Sequence, residues 1–443
     1  MNKSVSSRLE RERLGPGRLR AEVAVSPHER ARTPGLAATA ARWLVSDGRE
    51  EITHATAWLD AGETTLAVLT ALRKRGLSRE RAAAVVDAAL ARRRARDDWP
   101  LAEQMIATKR ALEQASHPAV SAWRAERFRG VEDVVDAGAG VGGDTIALAR
   151  EAASVLALDR SEARLVMLGH NADVHGVDAA AAVCDLTRPI LSHVNFVHAD
   201  PSRRVEGRRV TRLADYQPSV AAMWPLFAAA KGGALVVSPG VDLHDPDLPD
   251  GELEFVQLGS SLMEGVVWTG SLARSGHRSA TVIADRTVHR AARGAGQLPT
   301  GAVGEWLLEP APAAVRARLH DDLGREIGAW RLAERRALLT TDEEPEESPW
   351  WRAARVEAVL PLRPRAVKAW LRERDTAPIE LVLHGVDVEV DAWWRELGAP
   401  PRAWGGRVIH LVRLDDGGSC IVTSAPIGTE QRQKVVPHPR PNR

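Results

Sequence analysis

The sequence has only two cysteines, Cys184 and Cys420, among its 443 residues. Two thiols cannot build a disulfide framework or a structural zinc site of cysteines, so the sequence favours a protein of the reducing cytoplasm. No run of 18 apolar residues occurs, which predicts no membrane span. The amino-terminal segment lacks the apolar stretch of a secretory signal. The formal net charge is only +1, so any surface that binds a polyanion has to be local.

Hydrophobic periodicity changes along the chain and predicts its organisation. Apolar residues recur at helical spacing in the first part, where Gly76 ends one predicted helix and Ser78 caps the next. Short β-branched runs then alternate with helical stretches, the pattern of βαβ units with a parallel sheet. The predicted segments are a disordered tail (1–35), a helical domain (36–128), a Rossmann-like doubly wound α/β domain (129–290), a connector with helices (291–348), a small α/β domain (349–428) and a basic tail (429–443).

A glycine-rich loop in the stretch VVDAGAGVGGDTIALA separates a predicted strand from a predicted helix. Gly138, Gly140 and Gly142 permit positive φ angles and a close backbone approach, and the helix that follows presents free N–H groups. Such a loop cradles either a pyrophosphate or the methionine end of S-adenosylmethionine. Asp136, just before the loop, favours the second, because a carboxylate repels a pyrophosphate but suits a cationic amino group and a sulfonium.

Further acids end the following predicted strands. Asp159 ends the next strand, at the position where an acid holds a ribose diol at the carboxyl edge of the sheet, and Asp185 ends the strand after it. No Gly-Lys-Ser/Thr sequence accompanies the loop, which argues against a phosphate-loop NTPase. A dinucleotide-binding oxidoreductase and a non-catalytic Rossmann remnant are the alternatives.

This pattern resembles class I S-adenosylmethionine-dependent methyltransferases over roughly residues 129 to 290. On that resemblance Asp136 and the three glycines form the cofactor loop, Asp159 holds the ribose hydroxyls and Asp185 faces the adenine amino group. The order of LEQASHPAVSAWRAERF, HNADVHGV, HADPSRR and VVSPGVD also resembles bacterial methyltransferase-like proteins with a THUMP-like C-terminal domain, which are distantly similar to cap guanine-N2 methyltransferases. THUMP domains bind RNA, so the resemblance implies RNA as the partner and an RNA base nitrogen as the methyl acceptor.

The acceptor site is expected at Asp200-Pro201, which ends another predicted strand at the ligand-binding edge. Base-amine methyltransferases often have an Asp/Asn-Pro-Pro-aromatic loop here, whose acid accepts a hydrogen bond from the exocyclic amine. Arg203 and Arg204 stand in place of the second proline and the aromatic residue. Arg203 can stack on a base or bind a phosphate, and solvated loop charges are the alternative. Since positioning supplies most of the effect in methyl transfer, no catalytic triad and no metal site are expected.

Other polar residues have competing interpretations. His170 and Asn171 support either an adenine pocket or only their own helix. His384 and His410 lie on predicted strands with no third ligand nearby and are interpreted as structural. The basic runs at 73–75 and 91–96 are the best phosphate-contact candidates against a solvated helix face. Methylation of a small molecule or a protein, and an inactive RNA-binding protein that keeps the fold, are the rival functions.

Overall fold

The computed structural model describes residues 37–188, 194–205, 208–274, 278–285, 287–292, 296–398, 406–415 and 417–426. The tails predicted at 1–35 and 429–443 lie outside these residues. Among the described residues, no helix has both the length and the apolar character needed to cross a membrane.

The described helices are α1 (Ala38–Ser46), α2 (Arg49–Asp60), α3 (Thr65–Lys74), α4 (Arg79–Ala95), α5 (Lys109–Gln114), α6 (Pro118–Ala125), α7 (Gly143–Glu151), α8 (Glu162–His175), α9 (Val220–Ala229), α10 (Pro312–Ala317), α11 (His320–Glu326), α12 (Pro364–Glu373) and α13 (Val390–Leu397).

The described strands are β1 (Val134–Ala137), β2 (Val155–Asp159), β3 (Ala180–Val183), β4 (Phe196–Ala199), β5 (Arg204–Val205), β6 (Arg208–Arg209), β7 (Gly232–Val237), β8 (Glu252–Leu258), β9 (Ser261–Gly270), β10 (Arg278–Ala284), β11 (Thr287–Ala292), β12 (Trp306–Pro310), β13 (Trp330–Arg331), β14 (Leu339–Thr341), β15 (Trp351–Pro361), β16 (Pro378–His384), β17 (Arg407–Leu414) and β18 (Gly417–Thr423).

The chain divides into two compact units. The first runs to residue 235 and includes 245–248 and 270–272, and the second contains 236–244, 249–269 and the chain from 273 onward. The boundary therefore falls within the predicted 129–290 domain, whose last strands, β8 to β11, belong to the second unit.

The helices α1 to α6 of the first unit follow local sequence signals. Gly76 has a φ of +95° and follows the end of α3, where only glycine adopts this angle without strain. The Ser78 hydroxyl accepts a hydrogen bond from the Arg81 amide at 3.2 Å and so caps α4. The predicted helix end and helix cap are therefore both confirmed.

The parallel sheet of the first unit has its strands in the order β7-β4-β1-β2-β3, and every neighbouring pair is parallel. The helices α7, α8 and α9 lie between successive strands in the sequence, as βαβ connections require. All four residues of β1 are buried, which agrees with a strand that is covered on both faces. The predicted Rossmann-like doubly wound fold is thus confirmed, and the carboxyl ends of β1, β2, β3 and β4 share one edge.

The second unit contains two groups of strands. In the first group β8 pairs with β9 antiparallel and with β10 parallel, and β10 pairs with β11 antiparallel. The second group is a seven-stranded sheet in the order β13-β14-β12-β15-β18-β17-β16. Helices α12 and α13 bury Trp370 and Trp393 in the same apolar cluster as Ile409 and Val422, so both helices pack on the strands β17 and β18.

Candidate active site

The glycine loop has the backbone geometry that its sequence predicts. Gly138, Gly140 and Gly142 have φ angles of +97°, +58° and +100°, and Gly142 is the N-cap of α7. The amides of Gly138 and Ala139 donate to the carbonyl of Leu158 at 2.8 and 3.0 Å, which fixes the start of the loop against β2. Side chains other than glycine rarely adopt such angles, so the loop needs glycine at these three positions.

The loop closely approaches the end of β4. A Cβ atom at Gly138 would lie 3.2 Å from the carbonyl oxygen of Asp200, a tighter approach than most Cβ atoms make. The loop predicted to hold a cofactor and the strand end predicted to hold an acceptor are therefore adjacent in the fold. Within this contact, Asp200 is half-buried and Pro201 is buried.

Asp159 is the last residue of β2, and Asp185 lies just after Val183, the last residue of β3. The Asp159 carboxylate accepts hydrogen bonds from the amides of Gly140 at 3.1 Å and Ser161 at 2.7 Å. It thereby joins β2 to the glycine loop and to the start of α8. The Asp185 carboxylate accepts from the backbone and hydroxyl of Thr187, and these hydrogen bonds lower the pKa of Asp185.

Asp136 is buried, with one carboxylate oxygen 2.5 Å from the Thr145 hydroxyl and the other 2.8 Å from Nδ1 of His198. It therefore connects β1 to α7 and to β4. These two contacts leave carboxylate lone pairs that can still accept from a cationic amino group. The role of Asp136 opposite such a group stays a prediction.

A second buried carboxylate belongs to the same polar network. Asp144, in the first turn of α7, accepts from the hydroxyls of Ser116 at 2.9 Å and Ser121 at 2.8 Å and forms an ion pair with Arg124. Burial alone would raise the pKa of Asp144, but the charges of Arg124 and His198 with the Ser121 hydrogen bond outweigh it and lower the pKa to about 2.

His198 lies between these two acids on β4. Burial works against its charged form, yet the charge of Asp144 and the hydrogen bond to Asp136 prevail and raise the pKa of His198. His198 was not predicted as a site residue. Its signal in the sequence is its position two residues before Asp200 on the same strand, which places the two side chains on the same face. Through these contacts, the buried network connects β1 and β4 to α7, the helix that follows the glycine loop.

The chain after Asp200-Pro201 forms a short β-hairpin instead of the predicted plain loop. Ser202 exchanges two backbone hydrogen bonds of 3.0 Å with Gln217. Arg204 is half-buried and lies on β5, which pairs antiparallel with β6. The carbonyl of Arg203 accepts from the amide of Val210 at 2.9 Å. Both predicted substrate-binding arginines therefore lie on a structured hairpin beside the acceptor edge.

The same hairpin carries further arginines that the sequence analysis missed. Arg208 and Arg209 form β6, and Arg212 follows it; Arg208 and Arg212 are exposed. The signal was present in the sequence RRVEGRRVTR, which places five arginines within ten residues next to Asp200. We call residues 203–205 and 208–212 the arginine hairpin.

His170 and Asn171 have structural contacts on α8. The Asn171 side chain is fully buried, accepts from the amide of Ile106 at 2.8 Å and donates to the carbonyls of Ile106 and Val141 at 3.0 Å each. A ring nitrogen of His170 lies 3.0 Å from the carbonyl of Gln104. These contacts hold the segment before α5 against α8 and the glycine loop.

Within the basic run on α4, Arg92 does not belong to the predicted phosphate surface, whereas the other arginines of the run are exposed. Arg92 is buried, and its guanidinium donates to the carbonyl of Met105 at 3.0 Å and to the hydroxyl of Thr53 at 3.3 Å. Arg93 forms an ion pair with Asp60 at 2.9 Å. The expectation that Arg92 contacts phosphates is wrong, because its side of α4 faces the helical core.

Comparisons with known proteins are consistent with this geometry. A family model described as RNA cap guanine-N2 methyltransferase matches residues 131–202, and one described as THUMP domain-like matches residues 351–425. A Mycobacterium tuberculosis protein named as an uncharacterised S-adenosylmethionine-dependent methyltransferase is 31% identical over 327 residues, which cover 72% of this chain and 88% of that protein. A Porphyromonas gingivalis W83 crystal structure, assigned to a methyltransferase, has a TM-score of 0.67 at 19% identity and covers 85% of this chain and 98% of its own.

Proposed function

Because the chain belongs to the S-adenosylmethionine-dependent methyltransferases, we propose that it methylates a nitrogen of an RNA base. The predicted family, enzyme class and cofactor are confirmed. RNA as the substrate and a base nitrogen as the acceptor are the proposal. The position of the acceptor rests mainly on the close approach of Gly138 to the carbonyl of Asp200, and RNA as the substrate rests on the arginine hairpin beside it.

The residues present fit the cofactor. The positive φ angles of the glycine loop leave space that a Cβ atom at Gly138 would fill, and the start of α7 directs N–H groups toward the same side. In the proposal the loop glycines and Asp136 hold the methionine end, Asp159 the ribose hydroxyls and Asp185 the adenine. When bound, S-adenosylmethionine supplies a methyl group on a sulfonium that needs no further activation.

Asp200 and Pro201 are the proposed catalytic residues. Pro201 fixes its own φ and keeps Asp200 extended, so the backbone carbonyl of Asp200 has a defined direction beside the loop, and the carboxylate belongs to the same residue. In the proposal these oxygens accept hydrogen bonds from the acceptor amine and orient its lone pair. The carboxylate also stabilises the positive charge that develops on the nitrogen during transfer.

The arginine hairpin is the proposed RNA contact beside this site. Arg203 and Arg204 come after Pro201 and Ser202, and Arg208 and Arg212 add two exposed guanidinium groups to the same hairpin. Guanidinium groups bind phosphates with two hydrogen bonds and stack on bases. This local charge fits a polyanionic substrate even though the whole chain carries only +1.

The test is a methylation assay with labelled S-adenosylmethionine and total RNA from a strain that lacks the protein. We expect label in RNA with the unaltered chain. Asp200→Ala should keep the melting temperature and the cofactor affinity but lower the rate about a hundredfold, since losing one preorganised interaction costs roughly 3 kcal/mol. Asp215→Ala, an exposed acid after the hairpin, is the control and should have no effect.

Arginine variants test the RNA contact separately. Arg203→Ala should mainly raise KM for RNA, and Arg208→Ala with Arg212→Ala should reduce the dependence of RNA affinity on salt, because fewer counterions are released. Full activity of Asp200→Ala would place the acceptor elsewhere. Cofactor binding without any transfer to RNA would favour a small-molecule or protein acceptor.

A further inference from the structure

Three metal-ligand side chains converge in the second unit, away from the glycine loop. Glu309 lies on β12, His384 ends β16 and His410 lies on β17. Nε2 of His384 is 3.2 Å from Nδ1 of His410 and 3.3 Å from Oε1 of Glu309, and Nδ1 of His410 is 3.8 Å from the same Oε1. We propose that these three residues bind a divalent transition-metal ion, with Zn²⁺ as the best match.

The spacing of the three atoms fits a metal centre. Ligand atoms that are each about 2.0–2.1 Å from a tetrahedral Zn²⁺ lie roughly 3.3–3.4 Å apart. The three measured separations lie within about half an ångström of that value, so an ion can be bound by side-chain adjustments of a few tenths of an ångström. Two histidines with one glutamate, and an open fourth position, form a common catalytic zinc ligand set.

The position of the ring proton of His410 also suits metal binding. The Thr423 hydroxyl donates to the carbonyl of Ser424 at 3.0 Å, so its oxygen is left to accept from Nε2–H of His410, which lies 3.3 Å away. This contact assigns the proton of His410 to Nε2 and leaves the lone pair of Nδ1 directed at the cluster. An outer hydrogen bond of this kind typically orients a histidine that binds a metal.

The arginine nearest to the cluster is paired with a second carboxylate, and the site has an entrance. Arg352 lies 3.4 Å from the other oxygen of Glu309, but it also pairs with Glu380 at 3.0 Å, which offsets its repulsion of a cation. A cavity of roughly 310 Å³ is lined by Glu309 and His384 together with Arg335 and Arg336. The fourth ligand therefore enters from this cavity, where the two arginines favour water or an anion.

From the sequence alone, both histidines are interpreted as structural, because no third ligand lies near either of them on the predicted strands. Glu309 was missed since it precedes the small α/β domain and lies on a strand that is not a hydrogen-bonded neighbour of β16 or β17. The proximity of Glu309 to the two histidines depends on how the strands of the seven-stranded sheet are arranged, and no local sequence pattern predicts that arrangement.

The test uses the full chain, stripped with a chelator and titrated with Co²⁺ as a spectroscopic substitute for Zn²⁺. We expect one equivalent of Co²⁺ to give the visible absorption of a tetrahedral site and Zn²⁺ to displace it, as the usual affinity order requires. Glu309→Gln, His384→Gln and His410→Gln should each weaken binding by at least a hundredfold. Thr423→Val should weaken it by about 10- to 100-fold.

The control is His244→Gln, an exposed histidine outside the cluster, which should titrate like the unaltered chain. Circular dichroism checks that each variant is folded, and His384→Gln is the mildest change because that side chain is partly exposed. No tetrahedral absorption from the unaltered chain would overturn the proposal. So would unchanged affinity in a folded Glu309→Gln variant. The readout is metal binding alone and does not depend on methyl transfer.

Discussion

Replacing Asp144 with asparagine tests the buried network behind the glycine loop, because it removes a charge and keeps the size of the side chain. Asp144 pairs with Arg124, whose side chain is only 1% exposed, and accepts two serine hydroxyls. Asparagine can keep an oxygen that accepts from the Ser121 hydroxyl, and its amide nitrogen can donate to the hydroxyl oxygen of Ser116 in place of the lost acceptor. The loss of stability therefore reports mainly the ion pair.

The magnitude follows from the pKa of Asp144. That pKa is lowered to about 2 from an ordinary value of 3.8, and each pKa unit corresponds to about 1.4 kcal/mol. Ionisation thus contributes about 2 kcal/mol at neutral pH. Removing one charge from a buried pair also penalises the partner and typically costs about 3–5 kcal/mol. We expect Asp144→Asn to lower the free energy of unfolding by about 3 kcal/mol.

Urea unfolding followed by circular dichroism measures this change, and the midpoint should fall by roughly 1 M or more. The matched control is Glu151→Gln on the same helix. Glu151 pairs with Arg129 at 2.8 Å, but the Arg129 side chain is 67% exposed, so the control should cost less than about 1 kcal/mol.

The pH dependence has a defined sign. A lowered pKa gives stability that is present above the unfolded value near 4 and is lost as the pH falls toward the folded value near 2. The difference between the unaltered chain and Asp144→Asn should be constant from pH 7 to about 5 and narrow below about 4. Equal midpoints at pH 7, or a difference that does not narrow in acid, would refute the reasoning.

Three further variants test other contacts. Gly138→Ala places a methyl group against the carbonyl of Asp200 at a positive φ and should weaken cofactor binding at least tenfold by calorimetry; unchanged affinity would contradict the tight contact. Arg92→Ala should lower the melting temperature because Arg92 is buried and hydrogen-bonded, whereas the exposed Arg94→Ala should not; equal melting curves would count against this difference. Asn171→Leu removes three buried hydrogen bonds and should cost about 3 kcal/mol or more, measured by urea unfolding, and a loss below about 1 kcal/mol would show that they contribute little.

Local patterns were sufficient to predict the glycine loop and its acids. Positive φ angles require glycine at Gly138, Gly140 and Gly142, and parallel strands bring their carboxyl ends to one edge, so Asp159 and Asp200 were placed correctly on the fold. Both rules use short stretches of sequence: the first uses the glycine spacing in one loop, and the second uses the strand–helix–strand pattern of about thirty residues. For this reason, the sequence alone could predict the position of this edge.

Contacts between segments that are far apart in the sequence cannot be predicted from such local rules. Charge and helical spacing made Arg92 look solvated, and only the packing of α4 against the segment around Met105 shows it to be buried. The sequence similarly gave no sign that Glu309 meets two histidines. A prediction from pattern fails where a side chain's surroundings come from another part of the chain.

The contacts of Asn171 have a consequence for how the protein can be divided. One buried side chain connects the segment before α5, helix α8 and Val141 of the glycine loop, and residues of α1 to α4 share an apolar cluster with Val141 and Met167. A fragment that starts at the glycine loop would expose this apolar surface to water and lose the backbone partners of Asn171. The smallest portion that can be expressed as a working enzyme therefore includes the amino-terminal helices.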